Sequence, residues 1–239
     1  MALTKTGKLQ GTPTGTEETP EGQGGDKQRS IRRQNEAAKA VACAGYQVEN
    51  SPTVNSSDDL AALKDNPDYR IEGLIFDCYA PITLLPDNPS IWYHSLSTSK
   101  QNEVGAQMKQ IMSLFTLARM EQQENGEFDE FDDDISDTSV WDEYLKARMA
   151  YALSGIQTHA REKVTSGQTR NIVLNLVDSI CEAANIKYLF DTNKITNLKH
   201  VIVLKPKSGA KPEHSYPVKD GSYEIYPPQD FIVTEYEFS

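Results

Sequence analysis

Residues 66 to 81 read NPDYRIEGLIFDCYAP, and the way this stretch pairs with itself decides the fold. PDYRI and LIFDCYA flank Glu72-Gly73, and in the second run Leu74, Phe76 and Cys78 alternate with Ile75, Asp77 and Tyr79, which predicts a β-hairpin. With Glu72-Gly73 as a two-residue loop, Ile71 opposes Leu74, Arg70 opposes Ile75, Tyr69 opposes Phe76 and Asp68 opposes Asp77. Side chains opposed in this way have Cβ atoms roughly 4.5 to 5.5 Å apart, and like charges there are destabilising. A positive group therefore belongs between the two aspartates. Oxygen ligands from two carboxylates, with positions left for water and phosphate oxygens, suit Mg²⁺ or Mn²⁺, and such an ion polarises a phosphodiester and activates a bound water. The alternative on spacing alone is that one aspartate caps a turn after Pro67 and the other faces solvent from an edge strand.

On the N-terminal side of the hairpin, IRRQNEAAKAVACAG predicts a helix over about 31 to 44, with Ser30 as N-cap and Gly45 just past its end. Glu36 lies in the middle of it, on a face with Arg32, Arg33, Ala40 and Cys43, from which it can reach a sheet or remain solvated. Residues 1–29 are rich in Gly, Thr, Glu and Gln with almost no apolar anchors and read as a disordered leader or linker. YQVEN reads as a short strand.

On the C-terminal side, helical spacing runs from Lys100 to Gln123 and again from Trp141 toward Lys163. NIVLNL (171–176) reads as a buried strand, 179–189 as a helix and HVIVL (200–204) as a second strand, a series that favours neighbouring parallel strands. The tail carries a hairpin signal at Asp220-Gly221.

The chain has 239 residues, 38% of them apolar, and a net charge of −11. That charge argues against phosphate contacts until its distribution is considered. Eight acids and no base lie between Glu124 and Asp137, whereas residues 157–211 hold nine bases against four acids. These bases, with Tyr188 among them, can track an RNA backbone or form an ordinary mixed surface. Within the acidic run Asp132, Asp134, Ser136 and Glu143 partly match a calcium loop, but Asp137 stands where that loop needs its glycine. Cys43, Cys78 and Cys181 are odd in number and widely spaced, which predicts free thiols and a reducing compartment. No apolar run reaches the length of a membrane span. His94, His159, His200 and His214 show no short metal-ligand spacing.

NEAAKAVACAGYQVE, NPDYRIEGLIFDCYAP, EKVTSGQTRNIVLNL and LKHVIVLK, taken together, resemble the C-terminal nuclease domains of contact-dependent growth inhibition toxins, the CdiA-type transfer-RNA nucleases. The match is ordered and covers roughly 31–81 and 160–205, with NPDYRIEGLIFDCYAP its most specific part. The resemblance implies an α/β, PD-(D/E)XK-like fold, a mixed central sheet flanked by helices over 30–211; the helical pair at about 84–158 is an insertion that departs from the family, and 212–239 reads as a β-rich tail. It further implies a toxin that cleaves tRNA in the cytoplasm of a target bacterium. Such a domain is delivered as part of a larger secreted effector and blocked by a cognate immunity protein.

Carried over by motif, Glu36, Asp68 and Asp77 hold a divalent metal, Mg²⁺ with Mn²⁺ or Zn²⁺ as alternatives. The usual signature has a lysine two positions after the second acid, where this chain has Tyr79. Lys163 takes that role, orienting the attacking water or stabilising the charge of the phosphorane, although 86 positions separate it from Asp77. Gln168 and Arg170 are secondary candidates for touching substrate. A DNA endonuclease and a non-catalytic partner-binding module remain open on the same fold, since fold does not fix substrate.

Overall fold

The computed structural model describes residues 2–53, 67–82, 98, 138–218 and 221–238, and among these the chain is mixed α/β. A seven-stranded sheet runs in the order β1 (Thr14–Gly15), β2 (Val48–Asn50), β3 (Tyr69–Ile71), β4 (Leu74–Tyr79), β5 (Asn171–Asn175), β6 (His200–Pro206), β9 (Phe231–Glu237). β7 (His214–Val218) and β8 (Gly221–Ile225) pair separately as a two-stranded ribbon. The described helices are α1 (Gly25–Cys43), α2 (Thr138–Thr165) and α3 (Ala183–Thr192). None of them is long and apolar enough to cross a membrane, and the three cysteines are free thiols.

The hairpin forms on the predicted register, Ile71 with Leu74 through Tyr69 with Phe76. Glu72 and Gly73 both take positive φ, 48° and 82°, the turn whose twist matches the flanking strands and which glycine adopts without strain. Glu72 is held there through its carboxylate, which accepts from the backbone N–H groups of Thr6 and Gln47 at 2.8 Å each and from Thr6 Oγ1 at 2.5 Å. The ladder stops one pair short of the predicted opposition of Asp68 and Asp77. Pro67 has no N–H to extend it, and the Cys78 N–H donates to Asp68 Oδ2 at 2.6 Å instead of to a carbonyl.

Two other expectations need correction. Residues 1–29 are packed rather than a free leader: Thr14–Gly15 pairs in parallel with β2, Leu3 N donates to Glu235 Oε1 at 2.9 Å, Gln10 N donates to Cys43 O at 2.9 Å, and α1 begins at Gly25. The anchors are chiefly backbone and carboxylate hydrogen bonds, with Leu3 packed against the core, so the composition carries little apolar trace of them. The tail, secondly, does not stand apart. β9 pairs antiparallel along the whole of β6, and the ribbon register runs to Val218 with Gly221, while Asp220 of the predicted turn lies outside the described residues.

β5 and β6 are parallel neighbours, and all five residues of β5 are buried, as a strand covered on both faces must be. On one face α1 contributes Ala37, Val41 and neighbouring alanines to a core with Tyr69, Ile71, Phe76, Val173, Ile202 and Leu204. In α2, Ile156, Ala160 and Val164 are buried at one-turn spacing. The chain divides into two compact units, Met1–Pro81 with Ile156–Ser239, and Ile82–Gly155. The first holds every residue of the candidate site. The described part of the second is chiefly the opening half of α2, while the helix predicted at 100–123 and the acidic run at 124–137 lie outside the described residues.

Candidate active site

The site forms where β4 leaves the hairpin and α2 ends. Asp77 pairs with Ile172 in the parallel β4–β5 ladder, which fixes its backbone. β5 is tied to the same strand by its start, because Thr169 Oγ1 and Asn171 Nδ2 both donate to the Ile75 carbonyl, at 2.8 and 2.9 Å. Immediately before this clamp, α2 closes with Gly167 N donating to Val164 O at 3.1 Å and Gln168 N to Lys163 O at 3.0 Å. Gly167 takes φ 72°, the left-handed conformation this closure needs. The last turn of α2 is thereby held beside β4, and a lysine in a last turn is also favoured by the helix dipole.

Lys163 Nζ lies 2.7 Å from Asp77 Oδ1, and His159 Nε2 lies 2.6 Å from Asp77 Oδ2. His159 and Lys163 are four residues apart, one above the other on α2, and together they hold both oxygens of one carboxylate. The His159 ring stacks on Tyr79, with centroids 4.3 Å apart and planes 11° from parallel. Asp68 stands beside this group. Its Oδ1 accepts from Gln34 Nε2 at 2.8 Å, while Oδ2 takes the Cys78 N–H. Burial pushes the Asp68 carboxyl up to about 7; the Asp77 charge adds to the rise, and the Cys78 N–H and Lys163 oppose it. Burial likewise raises the Cys78 thiol and the Tyr69 phenol well above their usual ranges, so neither supplies a charge to the site.

Asp68, Asp77 and Lys163 thus come together, and Glu36 does not join them. Its Oε2 accepts from Arg33 Nη1 at 2.7 Å and from Asn175 Nδ2 at 2.8 Å, and its Oε1 accepts the Tyr226 N–H at 2.8 Å. Arg33, fully buried, also grips Asp178 with two parallel bonds of 2.9 and 2.8 Å, and Arg29 reaches Asp178 at 3.0 Å and the Ala80 carbonyl. Glu36 therefore belongs to a buried charge network that locks α1 to the loop after β5. Its carboxyl is raised chiefly by burial, against the lowering by Arg33 and its other donors. Gln168 caps α2 through its backbone, and Arg170 is exposed just ahead of β5. His159 is the member of the cluster that motif reasoning missed. Its sequence signal was the four-residue spacing to Lys163, not any spacing to another histidine.

No protein-family model matches the chain, and no curated protein matches it. Among solved structures it is similar to a CdiA-CT/CdiI toxin and immunity complex from Burkholderia pseudomallei, at 24% identity over 81% of this chain and 91% of that one, with a TM-score of 0.46. A likeness at that level fixes neither chemistry nor family. Both must come from the residues.

Among the described residues no three His, Cys, Asp or Glu side chains form a ready cage for a metal. What the site offers is two carboxylates, one of them with its pKa raised by burial and by the other. Carboxylate oxygens are the donors that an ion of the Mg²⁺ type takes, one or two of them beside several waters and substrate phosphates rather than a complete protein cage.

The raised Asp68 carboxyl has a consequence for stability. Below its ordinary value of 3.8 both folded and unfolded chains hold the proton and burial carries no charge cost; as pH rises through about 7 the folded chain must ionise a buried group the unfolded chain ionises freely. Stability in metal-free buffer should therefore fall between these values. Asp68→Asn removes the cost, since an amide oxygen still accepts the Cys78 N–H and Gln34 can turn its own amide to match. Urea titrations should show the variant about 2–4 kcal/mol more stable than the parent at pH 8 and nearly equal at pH 4. Equal stability at both values would contradict the buried, raised carboxyl.

Proposed function

We propose that this chain is a metal-dependent nuclease that hydrolyses phosphodiester bonds in RNA, with tRNA as its substrate. The observation that carries the reading is the delivery of Lys163 Nζ, 86 positions along the chain, to within 2.7 Å of Asp77 Oδ1 beside Asp68. A divalent cation held by Asp68 and Asp77, Mg²⁺ or Mn²⁺ by its oxygen donors, would polarise the scissile phosphate and make a bound water more acidic. The chain's own groups do the rest. Lys163 is held by Asp77 with its ammonium partly exposed, where it can donate to a phosphate oxygen or to the attacking water and offset the charge that grows on the phosphorane. Tyr79, at the position of the usual signature lysine, carries no charge into the site and backs the His159 ring instead.

The choice of RNA, and of tRNA within it, rests on the sequence resemblance over residues 31–81 and 160–205. So does the biological setting: a toxin domain delivered as part of a larger secreted effector, acting in the cytoplasm of a target bacterium, and blocked by a cognate immunity protein. Purified protein incubated with total tRNA and with supercoiled plasmid, in Mg²⁺ and in EDTA, tests the reading. RNA fragments that need Mg²⁺ support it. Plasmid nicking with intact tRNA would point to a DNA endonuclease, and no cutting of either to a partner-binding module. Lys163→Met is expected to lower the cleavage rate by roughly 10²- to 10³-fold, the scale of losing one donor aimed at developing charge.

A further inference from the structure

We propose that His159 is a positioning residue that sets the orientation of the Asp77 carboxylate for cation binding. This rests on the nuclease reading for its purpose but on separate contacts for its geometry.

Lys163 alone leaves a carboxylate free to swing about its Cβ–Cγ bond, because an ammonium is a compact charge that holds one oxygen in many orientations. His159 Nε2, at 2.6 Å from the other oxygen, removes that freedom and fixes the carboxylate plane. The ring is in turn fixed on both sides of its own torsion. Its backbone belongs to α2, whose neighbouring residue Ala160 is fully buried, and its face lies on Tyr79 at 4.3 Å. Tyr79 and Asp77 are two residues apart on β4 and so lie on the same side of the strand, which places the stacking ring and the carboxylate under the same turn of the helix. Partners that orient a ligating carboxylate commonly matter by 10- to 100-fold in metal affinity or activity.

Gln and Asn at position 159 separate this role from a merely structural one, since both are small polar amides. A glutamine amide nitrogen reaches about as far as Nε2, whereas an asparagine nitrogen stops near Nδ1 and cannot touch Asp77. Mn²⁺ titrated into the RNA-free protein and followed by electron paramagnetic resonance reads cation binding without turnover, and tRNA cleavage at a Mg²⁺ concentration that half-saturates the parent reads kcat and KM. His159→Gln is expected to stay within about threefold of the parent in Mn²⁺ affinity, and His159→Asn to bind about 10- to 100-fold more weakly, with kcat lowered and KM for RNA unchanged.

Equal Mn²⁺ affinity in parent and His159→Asn overturns the proposal, as does His159→Gln failing as badly as His159→Asn. A parent whose Mn²⁺ affinity falls in His159→Asn but not in His159→Gln, and which cuts no RNA, overturns the nuclease reading and leaves the positioning role standing. A parent that binds no Mn²⁺ overturns both.

Discussion

Asp77→Asn is expected to lower RNA cleavage by on the order of 10³-fold while leaving the fold intact. Asp77 is the junction of the site: Lys163 and His159 converge on its two oxygens, and its charge acts on Asp68. The amide carries no charge, so it weakens the hold on Lys163, removes half of the carboxylate pair and presents an NH₂ where one of the two donors now points. Loss of activity should come in kcat. The melting temperature should change little, because the Asp77 side chain meets partly exposed Lys163 and His159 groups that water can satisfy. Circular dichroism melts beside cleavage rates distinguish this from unfolding, and a variant that cuts within tenfold of the parent would remove Asp77 from the chemistry.

The second large effect is on stability. Arg33→Met is expected to cost about 3–5 kcal/mol at neutral pH, because it strands the buried Glu36 carboxylate and leaves buried Asp178 with Arg29 as its remaining cation. The pH dependence identifies the cause. Without its cation the Glu36 carboxyl, already raised by burial, rises further, so lowering the pH toward 4.5 lets the folded chain take up the missing charge as a proton. Urea titrations should show the deficit of the variant shrinking as pH falls. A deficit constant from pH 4.5 to 8 would mean that lost packing, not unpaired charge, is responsible.

The hairpin was legible because its turn chemistry is local. Glu72-Gly73 sets the register, and the register sets Asp77 on β4; the distant Thr6 and Gln47 only reinforce a turn that the local sequence already specifies. The parallel β5–β6 pair was legible for a similar reason, its apolar runs being short and bounded. Glu36 misled because a glutamate inside a helix reads the same whether it faces a metal or a buried arginine; only the folding of Asn175, Asp178 and Tyr226 around α1 distinguishes them. The N-terminal segment misled through its composition, since backbone and side-chain hydrogen bonds from Leu3, Thr6 and Gln10 supply most of its anchoring beside the packed Leu3 side chain. His159 stayed hidden because its partners, Asp77 and Tyr79, are about 80 positions away.

Asp68 and Asp77, served by Lys163, are proposed as a cation-dependent phosphodiester-cutting site. Its most direct test is one gel of total tRNA incubated with the parent and with the Asp68→Asn, Asp77→Asn double variant, each with Mg²⁺ and with EDTA. Discrete tRNA fragments are expected from the parent in Mg²⁺ and intact tRNA in the other three lanes; intact tRNA in the parent's Mg²⁺ lane, or equal fragmentation by the double variant, would rule this site out.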